Sequence, residues 1–500
     1  MKRQDIKKGV NAASNYILTL KLNTERYQED ILNKRLEISR SIYNSCLGEL
    51  FKRYNHMRES KDYEKVINMV KGKERNKKFN ELNKRYNLTE YSFHKYVKAM
   101  QKQFKDNVDS FTAQKIASRC FSAFQKLMLH QSNRVYFKKY GEMNSVEGKS
   151  NKTGIRFIGN KLRWNGLDIN VIMNKNDEYA QVSLLNKTKY CRVLRKLIRG
   201  KYKYYVQLIL EGIPPIKYNK ETGEVRNKIG DGNVGIDIGT RTIAISSKNE
   251  VKLLELCPEV ENIEHEKNIL LRKLDRQRRS NNPNNYNENG TIKKGIMTNL
   301  KKIKLTWIKS NKYIKTQNEL REVQRKQAYI RKQSHEKLAN YIISLGDRIL
   351  VETMNYKGLQ LRSKETTVNT NGKFNKKKRF GKSLANKAPS MLLTILANKL
   401  KWHNTELIKI NTYKIKASQY NHIEDKYIKK KLSERWNDFG EFKIQRDLYS
   451  SFLIMNVKDN LEEIDKELCF KQFDNFRKLH DKEILKIQSS SINLISSMGI

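Results

Sequence analysis

The chain has 500 residues, enough for several domains with a sizeable hydrophobic core. Its 102 Lys and Arg outnumber 53 Asp and Glu, which gives a formal net charge of +49. So basic a chain repels itself unless a polyanion offsets the charge, and nucleic acid is the expected partner. A membrane surface is the weaker alternative, because no apolar run approaches the roughly 20 residues of a spanning helix, and we expect no membrane partner.

Cysteine usage indicates a reducing compartment. The five Cys, at positions 46, 120, 191, 257 and 469, have no paired spacing. Such a set argues against a disulfide framework and against a zinc site built from Cys-x-x-Cys pairs. The stretch "MKRQDIKKGVNAASNY" lacks the apolar segment of a secretion signal. We expect a bacterial-type cytoplasmic protein that associates with the nucleoid when it is bound to DNA.

The first half of the chain changes from strand to helix and back to strand. Residues 15–22 alternate and predict a strand, whereas 27–138 have helical character. The candidate helices at 26–54 and 113–135 are separated by a basic, polar span at 71–87. Short apolar runs with turns predict β structure over 150–212, including "EYAQVSLLN" (178–186). A turn-rich linker at 214–233 is the expected domain boundary.

The second half mixes strands and helices, which is typical of an α/β or mixed domain. An apolar strand within 234–247 precedes an Arg-rich helix at 261–280 and an Asn-rich loop. A long helix is predicted at roughly 298–344, followed by a buried strand at 347–352. A basic loop at 369–383 leads to an amphipathic helix at 386–404 and a strand at 405–415.

The stretch "VGIDIGTRTIAISS" (234–247) places one carboxylate at the centre of an apolar strand. Because side chains alternate between the two faces of a strand, Asp237 shares its face with Gly235 and Gly239. We expect these glycines to leave room for a hydrated metal ion or a phosphate. Three interpretations fit: metal-dependent cleavage of nucleic acid, ATP binding as in actin-like and sugar-kinase folds, and a buried structural Asp. The absence of a second phosphate turn of the Asp-x-Gly-Gly-Gly kind disfavours ATP binding.

Two further carboxylates follow short apolar runs. Glu352 ends "RILVE", and Asp447 follows "FKIQR" at the expected N-cap of a helix. Magnesium prefers oxygen ligands, and two-metal hydrolysis of a phosphodiester requires acidic groups from separate elements. Taken alone, Glu352 also fits a solvated strand end and Asp447 a capping residue. The occurrence of all three acids in this order favours the nuclease interpretation.

In this order, "VGIDIGTRTIAISS", "RILVETMNYKGL" and "IQRDLYSSFLI" resemble the three RuvC-type nuclease motifs of TnpB. TnpB proteins are transposon-encoded RNA-guided DNA nucleases related to the type V CRISPR effectors. The stretch "LTLKLNTERYQEDILNKRLEISRSIYNSCL" is similar to the family's N-terminal strand and first helix. The stretch "SLANKAPSMLLTILANKLKWHNTELIKINTYKIKASQ" is similar to the helix, strand and Ser-Gln turn after the second motif. The resemblance covers most of the chain.

The resemblance implies a multidomain α+β fold with an RNase H-like (RuvC-type) nuclease core, in which Asp237, Glu352 and Asp447 bind Mg²⁺, with two ions expected. It implies a β-barrel wedge domain at 1–26 and 139–230, interrupted by a helical recognition domain at 27–138. The core with its Arg-rich helix is expected at 231–417 and ends at 441–480, around a degenerate zinc-ribbon-like target-loading insert at 418–440. A C-terminal tail is expected at 481–500.

The insert departs from the family pattern of two Cys pairs. Asn421, Glu424 and Phe439 stand about where Cys is expected. We therefore expect no zinc, and a subdomain held instead by packing of Tyr420, Trp436 and Phe439. In the family this subdomain helps to load the target strand, so the departure bears on the efficiency of cutting.

Basic segments supply the candidate nucleic-acid contacts. Arg272, Arg276 and Arg279 share one helical face through their i, i+4 and i+7 spacing, which suits the backbone of an RNA–DNA duplex. The run Lys376, Lys377, Lys378 and Arg379 predicts a mobile loop over the catalytic cleft. A solvated helix face and a plain charged surface loop are the respective alternatives. Gln125 is a candidate for reading the motif beside the target.

The function implied by the resemblance is RNA-guided DNA cleavage. The expected partners are a guide RNA, double-stranded target DNA and its unwound single strand. In such effectors the protein reads shape and a short target-adjacent motif, whereas base pairing reads sequence. Two alternatives remain open: a nuclease-dead RNA-guided DNA-binding regulator, and a structure-selective nuclease that needs no guide.

Overall fold

The computed structural model describes residues 14–293, 305–369, 372, 374–375, 380–431, 433–489 and 498–500. These residues form two compact units, an amino-terminal unit within Asn11–Pro215 and a carboxy-terminal unit within Ile216–Ile500. The division falls inside the turn-rich segment 214–233. Both units contain helices and strands, so the fold class is α+β.

A seven-stranded antiparallel sheet organises the amino-terminal unit. Its strands are β1 (Asn15–Leu22), β2 (Ser145–Glu147), β3 (Arg156–Ile158), β4 (Lys161–Trp164), β5 (Leu167–Ile172), β6 (Thr188–Ile198) and β7 (Lys201–Glu211). Its helices are α1 (Arg26–Arg58), α2 (Lys61–Ile67), α3 (Lys73–Arg85), α4 (Glu90–Gln103), α5 (Ser110–Met128) and α6 (Glu178–Leu184). The strand order is β2-β6-β7-β1-β5-β4-β3, so the helices α1 to α5 are inserted in sequence between the central strand and an edge strand.

The predicted strand at 15–22 is confirmed, because it coincides with β1 and alternates exposed and buried residues along its whole length. The β interpretation of "EYAQVSLLN" is wrong, since these residues form helix α6. The side chain of Asp177 accepts a hydrogen bond from the Ala180 N–H at 3.0 Å and caps the helix. A short apolar run does not distinguish a strand from a helix, and here the Asp177 cap favours the helix.

A five-stranded mixed sheet organises the carboxy-terminal unit. Its strands are β8 (Asn233–Ile238), β9 (Thr242–Ser247), β10 (Val251–Glu255), β11 (Arg348–Glu352) and β12 (Leu407–Ile410), and two small hairpins pair β13 (Tyr420–Asn421) with β14 (Lys426–Tyr427) and β15 (Trp436–Asp438) with β16 (Lys443–Gln445). The helices are α7 (Val260–Asn281), α8 (Asn311–Leu345), α9 (Tyr356–Leu359), α10 (Gly381–Lys387), α11 (Pro389–Trp402), α12 (Thr412–Ile415), α13 (Arg446–Met455) and α14 (Lys466–Ser489).

The five-stranded sheet lies between two layers of helices. Its order is β10-β9-β8-β11-β12; β8 pairs antiparallel with β9 and parallel with β11, and β11 pairs parallel with β12. One face packs against α8 and α11 through an aliphatic core that includes Ile236, Val351 and Leu396. The other face packs against α13 and α14 through a core that includes Leu350 and Phe452.

Three boundaries in this unit differ from the predictions. The long helix begins at Asn311, where Ser310 caps it, so the predicted start near residue 298 is wrong; residues 294–304 lie outside the described part. The predicted strand at 405–415 is a four-residue strand followed by α12, with Asn411 as the cap. Helix α14 continues past residue 480 to Ser489, and Ile484 and Met498 are buried in the core, so the described residues of the predicted tail, 481–489 and 498–500, are part of the packed unit.

Candidate active site

Two carboxylates lie side by side at the ends of adjacent parallel strands. In the register of β8 and β11, Ile236 pairs with Val351, and the next residues on the two strands are Asp237 and Glu352. Because Ile236 and Val351 face the α8–α11 core, the two acids face the opposite side of the sheet. The predicted juxtaposition of Asp237 and Glu352 is therefore built into the strand register.

Helix α13 carries the third carboxylate to the same face. It packs on β8 and β9, where the hydroxyl oxygens of Ser246 and Ser451 lie 2.7 Å apart. Gln445 is its N-cap, with a side-chain oxygen that accepts from the Leu448 N–H at 2.8 Å. Asp447 lies in the first turn and does not cap the helix, so the N-cap prediction is wrong. The capping interpretation of this acid falls with it.

Gly235 has a different role from the predicted clearance for metal or phosphate. A Cβ at this position would lie within 3.0 Å of Ser451 O and of the backbone nitrogen and Cα of Met455. The glycine therefore allows the backbone of α13 to approach the sheet closely. A Cβ at Gly239 would meet the Thr242 carbonyl and hydroxyl oxygens at 3.4 Å, which is ordinary contact. The clearance interpretation of Gly235 is wrong.

The electrostatics show that the carboxylates interact. The pKa of Asp237 is raised well above its ordinary value, first by burial and then by the charges of Glu352 and Asp447. The Ser450 side chain and the Arg446 charge oppose this shift. Burial also raises the pKa of Glu352. Burial and mutual repulsion thus disfavour the ionised forms of Asp237 and Glu352, and a nearby cation would offset both effects.

The donor set suits a hard divalent cation, because it consists of three carboxylates whose mutual repulsion such a cation relieves. As the side chains stand, however, no three His, Cys, Asp or Glu residues among those described are placed to hold one metal ion. Asp447 is instead paired with arginine. Its Oδ1 accepts from Arg446 Nε at 3.3 Å and Nη2 at 3.2 Å, and its Oδ2 lies 3.6 Å from Arg435 Nη1. The residues fit Mg²⁺ in their chemistry, and Asp447 must exchange its arginine partners to act as a ligand.

Three side chains around the acids could not be recognised from the sequence. Arg435 and Arg446 do not stand out in a chain with 102 Lys and Arg. Tyr356 lies on the short helix after Glu352, and burial and the charge of Asp237 raise its pKa. Its hydroxyl is buried and has no hydrogen-bond partner within the described residues. In the sequence, only the position of Tyr356, four residues after Glu352, indicates that this side chain could lie near the acids.

The three arginines predicted to share one face of α7 differ in their contacts. Arg272 and Arg276 are exposed, and no ion pair joins them to the described residues. Arg279 donates to Asp275 Oδ2 at 2.8 Å and to Gly290 O at 2.8 Å, and it lies 4.7 Å from the centroid of the Tyr286 ring. Arg279 therefore helps to fix the loop after α7, and all three exposed arginines remain candidate nucleic-acid contacts.

The remaining predicted contacts stay predictions. Lys376, Lys377, Lys378 and Arg379 lie outside the described residues. Gln125 is exposed on α5 in the amino-terminal unit, and its role in reading a target-adjacent motif is untested.

The segment 418–440 is packed around aromatic side chains. Tyr420, Trp436 and Phe439 join the core formed with α13 and α14, which confirms their predicted packing. His422 is fully buried; its ring lies 4.7 Å from that of Phe473 and its Nδ1 2.5 Å from the Tyr449 hydroxyl. Burial lowers the pKa of His422 to about 4. This histidine is a neutral member of an aromatic core.

No protein-family model and no curated protein matches the chain. Among solved structures, a Cas12f1–sgRNA–target DNA complex is similar at a TM-score of 0.41 and 12% identity, covering 88% of this chain and 98% of that one. A CRISPR-Cas12f ternary complex is similar at a TM-score of 0.25 and 14% identity, covering 86% and 82%. Both scores are too low to assign a function. No helix in the described ranges has the length and apolar character to cross a membrane.

Proposed function

We propose that this chain is an RNA-guided, Mg²⁺-dependent DNA endonuclease of the TnpB type. The observation that carries the proposal is the convergence of Asp237, Glu352 and Asp447 from β8, β11 and α13 onto one face of the sheet. Each acid belongs to one of three sequence segments that resemble RuvC motifs in the same order. The mixed sheet, with three antiparallel strands followed by two parallel ones, supports an RNase H-like core.

In the proposed site, Asp237, Glu352 and Asp447 hold the metal, with two ions expected. When bound, Mg²⁺ supplies water activation and stabilisation of the leaving oxygen. The carboxylates must lose their protons to bind it, so the raised pKa values of Asp237 and Glu352 make binding weaker at acid pH. Arg446 and Arg435 hold the Asp447 carboxylate at the start of α13 and also present positive charge to a scissile phosphate.

The rest of the chain is proposed to hold the nucleic acids. The amino-terminal unit, a sheet with a helical insertion after its first strand, is consistent with a wedge domain interrupted by a recognition domain that includes Gln125. Arg272 and Arg276 are proposed to contact the backbone of the RNA–DNA duplex. The loop with Lys376, Lys377, Lys378 and Arg379 is proposed to cover the cleft. The partners are then a guide RNA, the target duplex and its unwound strand, in a bacterial cytoplasm.

The deciding experiment is a plasmid cleavage assay with Mg²⁺ and RNA co-expressed from the flanks of the gene. A randomised sequence beside the target reveals any required motif by its depletion from uncut plasmid. Asp237→Ala is expected to abolish cleavage and leave RNA binding nearly unchanged, because the carboxylate serves only the cutting step. Loss of RNA binding in this variant would contradict the assigned role, and cutting without RNA would support a guide-independent nuclease.

The pairing of Asp447 with two arginines favours one second candidate, a nuclease-dead RNA-guided DNA-binding regulator. In such a protein the arginines satisfy the third acid permanently, and target binding proceeds without cutting. The two candidates separate in the same assay, because a regulator protects a guide-matched DNA site from a nuclease footprint but leaves the plasmid intact in Mg²⁺ or Mn²⁺.

A further inference from the structure

A cavity of about 430 Å³ opens in the carboxy-terminal unit away from the three acids. It is lined by the end of β9 and the turn that follows, the last residue of α13, and one face of α14. Ser247 in its wall pairs with Val234 at the start of β8, whereas Asp237 lies near the other end of that strand. Met455 in its wall ends α13, whereas Asp447 lies in the first turn. The cavity is therefore separate from the candidate active site, about 12 Å along the helix from Asp447.

The polar groups of the cavity combine two cations with amide acceptors. Lys248 and Lys471 are exposed at its rim, and neither forms an ion pair with the described residues. The Asn475 side-chain amide donates to Lys248 O at 2.7 Å, which leaves its carbonyl oxygen as an acceptor. Gln472 lines the cavity, and its Oε1 is buried without a hydrogen-bond partner among the described residues. Rotation of this side chain into the cavity therefore breaks no hydrogen bond of Oε1 and offers the oxygen to a donor there.

The polar groups of the cavity suit RNA better than DNA. The two ammonium groups match phosphate oxygens, and the +49 net charge of the chain draws in nucleic acid. The phosphodiester backbone of DNA offers no donor to Gln472, whereas each ribose of RNA carries a 2′-hydroxyl that donates. Leu468 and Phe476 supply an apolar wall for the sugar. The volume suits a single sugar-phosphate unit, since ligand pockets begin at about 300 Å³.

We propose that this cavity is a subsite for the ribose-phosphate backbone of an RNA strand, with Lys248 and Lys471 on the phosphates and Gln472 on a 2′-hydroxyl. This inference rests on the proposed function, in which that strand belongs to the guide RNA. It adds a contact that distinguishes RNA from DNA in the unit that carries the catalytic acids.

The charge contacts are tested by the full-length double variant K248A/K471A. The matched control is K478A/K482A, which removes the same charge from exposed positions of α14 outside the cavity. We expect the first variant to lose roughly tenfold in affinity for a single-stranded RNA. The slope of the logarithm of its RNA-binding constant against the logarithm of the salt concentration should become shallower by about 0.7 for each lost phosphate contact. Equal losses in the two variants would show general electrostatics and overturn the subsite.

The 2′-hydroxyl contact is tested by Gln472→Met, which removes the acceptor and keeps the side-chain length. We expect a several-fold loss of affinity for RNA and no loss for the all-deoxy strand of the same sequence. An equal effect on both strands would overturn the assignment of Gln472. If the wild-type chain cuts RNA-guided targets and both cavity variants match the control, the subsite alone fails. If the wild-type chain binds no RNA, the proposed function fails with it.

Discussion

Gly235→Ala tests the link between the sheet and the third carboxylate. The new Cβ would lie within 3.0 Å of three backbone atoms of α13. A helix backbone cannot turn aside as a side chain can, so we expect α13 to shift by on the order of 1 Å. Such overpacking costs about 1–3 kcal/mol, which lowers the Tm of a unit of this size by several degrees at about 2–4 °C per kcal/mol. Because α13 carries Asp447, a shift of about 1 Å also predicts a roughly 100-fold loss of cleavage rate.

Gly239→Ala is the matched control for this prediction. It adds the same methyl group directly after the end of β8, where the nearest atoms lie at 3.4 Å. A plasmid cleavage time course with guide RNA measures the rate, and a thermal melt measures the Tm. We expect Gly235→Ala to cleave more slowly and to melt at a lower temperature than wild type, and Gly239→Ala to resemble wild type in both. RNA binding should be retained in both variants. A Gly235→Ala protein that is as stable and as fast as Gly239→Ala would refute the close-approach argument.

Three further predictions concern charge, hydrogen bonding and metal. The pKa of Asp237 is raised in the folded state, so the contribution of this group to stability is lost as the pH rises from its ordinary pKa of 3.8 towards the raised value. Asp237→Asn in EDTA should therefore raise the Tm at pH 8 and leave it unchanged at pH 3. Tyr356→Phe removes a buried hydroxyl that has no hydrogen-bond partner among the described residues, so the Tm in EDTA should be unchanged or higher. A loss of more than about 1 kcal/mol in the free energy of unfolding would reveal a hydrogen bond. Elemental analysis should find no zinc, and a zinc chelator should leave the near-ultraviolet circular dichroism of the segment around Trp436 unchanged.

The elements that carry the acids could be predicted because local patterns determine them. An apolar run that ends in Glu352 is a strand whether or not its neighbours are known, and the alternation around Asp237 fixes the face of its side chain. The register of β8 and β11 then follows from burial of one face, since a slip by one residue would turn the aliphatic side chains away from the core. The sequence was therefore enough to predict that Asp237 and Glu352 are neighbours. It was not enough to predict how far they lie from Asp447.

The remaining features depend on contacts between distant parts of the chain. Asp447 pairs with its sequence neighbour Arg446 and with Arg435 in the preceding segment. Nothing in the composition of the chain distinguishes these two arginines from the other basic residues. Arg279 was grouped with Arg272 by spacing, but its partner Tyr286 belongs to the loop after the helix. Helix periodicity gives the face of a side chain and leaves open what covers that face.

The error at Gly235 has a physical origin that applies to small residues beside a carboxylate on a strand. Space next to an acid is left either for a ligand or for the backbone of another element, and alternation along the strand is the same in both cases. Here the backbone of α13 fills the space, and Ser246 and Ser451 meet beside it. The glycine still serves the acids, because it allows the helix that carries Asp447 to lie close to the strand that carries Asp237. In the proposed nuclease, the role of Gly235 is then to position Asp447, which a methyl group at residue 235 perturbs without changing any charge in the site.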